Sequence, residues 1–245
     1  MDGWDTYIGP AYDSVLGKTT GEALGLNLDP HRVFTLVKDG DNQNLIRISG
    51  QDFGAITTKQ SFSDYHLHLQ FKWGKTIWPQ KKGKKRDSGL LYHSVGRQGA
   101  DYGNWMRSQE FQIEEGNCGD YWGVAGGFEE IPSDQISDSQ YVYNPLGKMR
   151  VFGAQTKTGR HCIKKGDAEN PTGEWNSVDL YCHGDTSVQV MNGKIMMVLY
   201  HSQQYDDGNA SKLVEGKIQI QSEGAEVFYK DIKIRPIKNL NEVLH

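Results

Sequence analysis

Alternation of apolar and polar residues along positions 65–73 is the sequence feature that most constrains the fold. Every second residue of this run is apolar: Tyr65, Leu67, Leu69, Phe71 and Trp73. The residues between them are polar. Because side chains alternate between the two faces of a β-strand, the run predicts a strand with one face in a core and the other face polar.

The segment 108–114 shows the same alternation but carries acids on its polar face. Phe111 and Ile113 point one way, and Glu110, Gln112 and Glu114 point the other. Two carboxylates on one face of a strand repel each other, so such a face suits a polar ligand better than it suits folding. We therefore expect these three polar residues to line a carbohydrate-type site, with the two glutamates as catalytic candidates.

Two further segments are expected to add polar side chains to this face. If Leu90 and Tyr92 face the core, His93 lies on the polar side, where an imidazole is a candidate base near neutral pH. The segment 218–223 alternates in the same way, and it is expected to contribute two substrate-binding residues, Gln221 and Glu223.

The remaining candidate binding residues are aromatic or basic. Trp105 and Trp122 lie in glycine-rich loops beside the acidic strand, where a flat ring can stack on a sugar. Lys72 and Arg86 are basic candidates for substrate binding. The lysines that precede Arg86 are expected to form a solvated loop. His201 fits either the groove or a sheet edge, and is retained as a binding candidate.

Length and composition favour one all-β domain. No repeat, charge block or linker divides the 245 residues, so we expect a single domain over 1–245. The 29 glycines exceed an average usage of about 7% and suit many turns between strands. The net charge of −4 argues against a nucleic-acid partner. No apolar stretch is long enough to span a membrane.

Cofactor and compartment are weakly constrained by the sequence. Cys118, Cys162 and Cys182 lack metal-ligand spacing and are expected to be buried or free thiols. A His/Glu cluster is compatible with a divalent metal ion, but its spacing assigns no ligands. No signal peptide is visible, which fits a cytoplasmic start or a mature secreted chain; we expect a periplasmic or extracellular mature form. The sequence does not indicate an oligomeric state.

Short motifs spread over nearly the whole chain carry a family resemblance. They include Asn27-Leu28-Asp29-Pro30, Arg86-Asp87-Ser88-Gly89, Ser108-Gln109-Glu110-Phe111-Gln112, Gly119-Asp120-Tyr121-Trp122 and Ile220-Gln221-Ser222-Glu223-Gly224. In this order they resemble the 3-keto-disaccharide hydrolase domain family, which is abundant in Bacteroidota. The resemblance implies a concanavalin A-like jelly-roll sandwich of two antiparallel sheets, with a concave groove for a small-molecule carbohydrate. Some members carry a histidine where this chain has Glu223, so a base role for that histidine is not carried over.

The resemblance also implies a reaction, the cleavage of 3-keto-glucosides or 3-keto-disaccharides. A ketone at C3 acidifies the hydrogen on C2, so a base removes this proton, the C1 substituent is eliminated and water then adds. In this reaction His93, Glu110 or Glu114 would be the base. Lys72, Arg86 or a bound divalent cation would hold the enolate oxygen.

Two alternatives stay open beside this elimination. One is a laminarinase-like glycoside hydrolase with Glu110 and Glu114 as paired carboxylates, and the other is a non-catalytic glycan-binding module. Four residues of strand span about 13 Å, whereas retaining hydrolysis needs carboxyl groups about 5.5 Å apart. The spacing therefore favours elimination, and the density of ionisable groups favours an enzyme over a binding module.

Overall fold

The computed structural model describes residues 1–244, and these residues fold almost entirely into β-strands. In chain order the strands are β1 (Trp4–Asp13), β2 (Lys18–Leu26), β3 (Phe34–Lys38), β4 (Asn44–Ile48), β5 (Gly54–Thr58), β6 (Tyr65–Ile77), β7 (Asp87–Val95), β8 (Arg107–Glu114), β9 (Tyr121–Val124), β10 (Gly127–Ser137), β11 (Gln140–Tyr143), β12 (Lys148–Phe152), β13 (His161–Cys162), β14 (Asn176–His183), β15 (Thr186–Met191), β16 (Lys194–Asp206), β17 (Asn209–Lys212), β18 (Lys217–Ser222) and β19 (Ala225–Pro236). A 3₁₀ turn occupies Pro79–Lys81, and a short helix α1 occupies Asn241–Leu244. No helix in this part of the chain is long and apolar enough to cross a membrane.

The strands form two antiparallel sheets. Sheet I has eight strands in the order β13-β9-β8-β7-β18-β5-β1-β2. Sheet II has the order β11-β10-β16-β15-β14-β6-β19-β4-β3, with β12 paired to β10 and β17 paired to β16. The predicted fold class, an all-β jelly-roll sandwich of two antiparallel sheets, is confirmed.

The core lies between the sheets and is built by the alternation seen in the sequence. On β6 the five alternating apolar residues are each at most 3% exposed, and on β8 Phe111 and Ile113 are fully buried in the same cluster. Burying one such side chain contributes about 1.5–3 kcal/mol. The opposite face of β8 is therefore fixed as the outer face of sheet I.

The last two strands complete both sheets. β18 pairs with β5 and with β7 in sheet I, whereas β19 pairs with β4 and with β6 in sheet II. A segment near the end of the chain thus lies beside strands that precede it by more than a hundred residues. This connection places Gln221 and Glu223 across β7 from the acidic strand β8.

Candidate functional site

Polar side chains from three neighbouring strands meet on the outer face of sheet I. They line a cavity of about 180 Å³, here called the acidic cavity. Its lining residues are Asp87, Asp101, Trp105, Glu110, Gln112, Glu114, Trp122, Arg160, Gln221 and Glu223. Of the residues selected from the sequence, seven lie here: Glu110, Gln112, Glu114, Trp105, Trp122, Gln221 and Glu223.

Gly89 forms the floor between Glu110 and Gln221. It lies opposite Gln112 on β8. A Cβ placed on Gly89 would lie 2.2 Å from Oε1 of Glu110 and 2.3 Å from Oε1 of Gln221. Both side chains therefore occupy the space that a larger residue would need. Oε1 of Gln221 is buried and has no hydrogen-bond partner in residues 1–244, while the Gln221 side chain hydrogen-bonds with Glu110.

Glu110 is a buried carboxyl in an acidic surrounding. Its side chain is 6% exposed. Burial raises the pKa of Glu110 well above its usual value, and the nearby Glu223 raises this pKa further, while Arg160 opposes the shift. A carboxyl of this kind holds a proton more tightly than an exposed glutamate does.

Lys81 joins two carboxyls at one end of the acidic cavity. Its ammonium group contacts Asp87 and lies 3.0 Å from Oε1 of Glu223. Burial and mutual repulsion raise the pKa of Asp87, with Lys81 opposing the shift. Burial likewise raises the pKa of Glu223 against the effect of Lys81. The raised pKa values indicate that these two acids retain a proton more readily than exposed carboxyls.

The expectation that the lysines before Arg86 form a solvated loop is wrong for Lys81. Pro79 begins the 3₁₀ turn, and the turn directs the Lys81 side chain back to the sheet, where 13% of it is exposed. A proline favours the first position of a helical turn because its φ is already close to the helical value. The run therefore contributes a site residue that its charge pattern did not indicate.

Arg160 is held between two aromatic rings at the other side of the acidic cavity. Its guanidinium lies 5.3 Å from the ring centroid of Trp122 and 5.4 Å from that of Tyr102. Nη1 of Arg160 donates to both carboxylate oxygens of Asp101, at 3.1 and 3.3 Å. These contacts fix a positive charge over the cavity, where it can meet an oxygen anion.

Trp122 is in turn oriented by His161. The two rings stack at 4.2 Å with 14° between their planes. Nε2 of His161 lies 2.8 Å from a carboxylate oxygen of Asp120, whose other oxygen accepts the backbone N–H of Lys164. This arrangement holds the Trp122 ring as a wall of the acidic cavity.

His93 does not reach the acidic cavity, so its expected place on the polar face is wrong. The pairing of β7 with β8 shifts register between Tyr92 and Val95, and His93 has a φ of 52°. Such a bulge reverses the alternation, because one extra residue turns the following side chains to the other face. The His93 ring lies 5.9 Å from the Tyr65 ring between the sheets. Burial lowers the pKa of His93 to about 4.

Three other candidate residues also lie away from the acidic cavity. Lys72 is on β6 of sheet II, with its ammonium 4.8 Å from the ring centroid of Trp175. Arg86 forms a two-pronged ion pair with Glu115, at 2.9 and 3.0 Å. His201 is exposed on β16 of sheet II. The alternation of residues along a strand shows which side chains share a face, but it does not show which of the two sheets the strand joins.

Sequence reasoning missed Asp87, Asp101, Lys81 and Arg160. Asp87 could have been found, because it lies two residues before Gly89 on β7 and therefore on the same face of the strand. Asp101 and Arg160 lie outside the named strands, where alternation carries no information.

The donor set does not favour a preformed metal site. In residues 1–244, no group of three or more His, Cys, Asp or Glu side chains is arranged to hold a metal ion. The three cysteines are buried free thiols, as expected. The polar groups that converge are instead carboxyls, amides and two cations, which suit hydroxyl groups and proton transfer.

Known structures share this fold at low sequence identity. A provisionally named glycosyl hydrolase of Parabacteroides distasonis matches with a TM-score of 0.50 and 16% identity, over 86% of this chain and 93% of that one. A second provisionally named glycosyl hydrolase of the same organism also gives a TM-score of 0.50 and 16% identity, over 97% and 89%. No curated protein sequence matches the chain.

A family model matches residues 1–235 and describes a 3-keto-alpha-glucoside-1,2-lyase-like domain. This match confirms the resemblance that the motifs carry. The chain therefore belongs to the family of 3-keto-alpha-glucoside-1,2-lyase-like domains.

Proposed function

We propose that the protein cleaves the glycosidic bond of 3-keto-glucosides or 3-keto-disaccharides by elimination between C1 and C2, followed by hydration. Family membership supports a carbohydrate-active role. The observation that supports elimination from a 3-keto sugar is the Glu110 carboxyl, which is buried beside Gln221 over the backbone of Gly89.

Glu110 acts as the base that removes the proton from C2. A general base is most effective when its pKa lies near the working pH, and burial raises the pKa of Glu110 in that direction. The C–H electrons enter the C2–C3 bond, and the C3 carbonyl oxygen becomes an enolate anion. Glu110 here takes the role for which His93 was also a candidate.

Arg160 stabilises the enolate oxygen. Its guanidinium lines the acidic cavity and keeps hydrogen-bond donors beyond those that bind Asp101. A fixed cation stabilises a developing anion strongly because it needs no reorganisation during the reaction. Arg160 thus replaces Lys72 and Arg86 in this role.

Glu223 protonates the leaving oxygen. The enolate oxygen re-forms the C3 carbonyl, the C2–C3 double bond shifts to C1–C2, and the C1–O bond breaks as its oxygen takes the proton. Burial raises the pKa of Glu223, which favours the protonated acid needed here. Water then adds hydroxyl to C1 and hydrogen to C2, giving the free 3-keto sugar.

One observation favours paired-carboxylate hydrolysis as a second candidate. Asp87 and Glu114 lie directly opposite each other on β7 and β8, and opposite Cα atoms in such a pair are about 4.5–5.5 Å apart. Side chains on directly opposite residues can bring their carboxyl groups closer together than those of Glu110 and Glu114, as retaining hydrolysis needs. However, Asp87 is bound to Lys81, which restricts its access to a sugar carbon.

Reaction in heavy water separates the candidates. The protein is incubated with 3-keto-trehalose and with trehalose, and the released sugar is analysed for deuterium at C2. Elimination and hydration place deuterium at C2 and require the ketone, whereas paired hydrolysis involves only C1 and the leaving oxygen. Glu110→Gln is the matched control, and it should abolish both cleavage and exchange.

Three results would contradict the proposal. Cleavage of trehalose without C2 exchange would favour paired carboxylates. Binding without cleavage of either sugar would favour a glycan-binding module. Full activity of Glu110→Gln would remove this residue as the base.

A further inference from the structure

A second cavity opens beside the acidic cavity. It has a volume of about 460 Å³ and shares Trp105, Arg160 and Glu223 with the acidic cavity. The two cavities therefore form one cleft, with the proposed leaving-group acid Glu223 at their boundary. A glycosidic oxygen at Glu223 would have its sugar ring in the acidic cavity and its leaving group in the second cavity.

The walls of the second cavity are rich in aromatic rings. Tyr12, Phe53 and Tyr102 line it together with Trp105, and the rings of Phe53 and Trp105 are stacked at 6.2 Å. Aromatic faces bind planar rings and the apolar faces of sugars by stacking. The leaving group expected here is therefore a ring.

The charge of the second cavity is opposite to that of the acidic cavity. Lys18, Lys81, Lys84 and Arg160 line it, with Glu223 as the single acid. Lys81 is paired with Glu223, and Arg160 is paired with Asp101. Lys18 and Lys84 are exposed and form no ion pair with any residue in 1–244. Their charge remains available to a ligand.

The two exposed lysines orient a substrate along the cleft. An anionic substituent is attracted by the ammonium groups of Lys18 and Lys84, which line the second cavity and not the acidic cavity. We propose that the second cavity is the leaving-group subsite, an assignment that rests on the proposed function. This subsite selects a leaving group whose ring carries an anionic substituent, such as a carboxylate.

Binding of two uncleaved glycosides tests this subsite. Phenyl α-glucoside and 4-carboxyphenyl α-glucoside, both without the 3-keto group, are titrated calorimetrically into the intact protein at low salt. Exposed ion pairs are individually weak, so two of them should favour the carboxylate by roughly twofold to thirtyfold in Kd. The preference should decrease as salt is added, because salt screens exposed charges.

Matched double variants assign the preference to the lysines. Lys18→Gln with Lys84→Gln should abolish the preference, so that the two glycosides bind with equal Kd. Lys75→Gln with Lys148→Gln removes two exposed lysines that line neither cavity, and this control should keep the preference.

Three outcomes would overturn the subsite: equal binding of the two glycosides, a preference that survives in the Lys18/Lys84 double variant, or no binding of either glycoside. Because no bond is cleaved in this measurement, its failure is separate from failure of the proposed reaction. If 3-keto-trehalose is turned over but the two glucosides bind equally, the proposed reaction is supported and the proposed subsite is contradicted.

Discussion

Replacing Gly89 with alanine should remove activity and leave the fold intact. The added Cβ would lie 2.2 Å from Oε1 of Glu110, so this oxygen must withdraw by about 1.2 Å to reach the 3.4 Å of an ordinary Cβ contact. Gln221 must withdraw by a similar amount. A misplacement of about 1 Å at a reacting group can reduce the rate by about 10²-fold. We therefore expect kcat on a 3-keto-glucoside to fall by about 10²-fold or more.

The expected effect of Gly89→Ala on stability is small because two contributions oppose each other. Alanine in place of a strand glycine contributes about 0.5–1 kcal/mol of stability. Moving a side chain about 30° off its rotamer costs about 0.5–1.5 kcal/mol, and two flexible side chains must move. The free energy of unfolding, measured in urea, should fall by no more than about 2.5 kcal/mol.

Gly74→Ala is the matched control for this variant. Its Cβ would lie 2.4 Å from both Cγ and a carboxylate oxygen of Glu226, so a flexible side chain must again move, here on β6 of sheet II. The control should show a comparable change in stability and unchanged kcat. If Gly89→Ala lowered kcat no more than Gly74→Ala, the positions of Glu110 and Gln221 over Gly89 would have no catalytic importance.

Three further predictions concern single buried residues. Glu110→Gln should lower kcat by about 10²–10⁴-fold, the usual contribution of a general base, with Tm unchanged or raised because a buried acid is removed; a lower Tm would make Glu110 structural. Phe111→Ala should reduce the free energy of unfolding in urea by about 2–5 kcal/mol, and a smaller loss would contradict its place in the core. Burial raises the pKa of Glu129 to about 8, so the folded state binds this proton more tightly and stability should fall as pH rises from about 4.5 to about 8. Glu129→Gln should flatten this part of the stability profile, and an unchanged profile would refute the assignment.

The sequence predicted the parts of the site that depend on regular alternation. Glu110, Gln112 and Glu114 follow directly from the burial of Phe111 and Ile113, because a register error would turn the whole strand over. These positions are therefore strongly specified by local sequence.

The errors arise where alternation stops or where the partner strand matters. His93 lies within a bulge, which a period of two cannot reveal. Lys81 belongs to a charged run, and composition does not show that a 3₁₀ turn directs it inward. Arg160 reaches the site from outside the named strands, so its role depends on tertiary contacts alone.

The placement of β18 and β19 has a consequence for the time at which the protein becomes foldable during synthesis. Until residues 217–236 have left the ribosome, β5 and β7 lack a shared neighbour, and so do β4 and β6. A nascent chain would therefore present four unpaired strand edges, which are templates for aggregation. We expect chains arrested before residue 217 to remain protease-sensitive, and cooperative protection to appear only after residue 236 emerges.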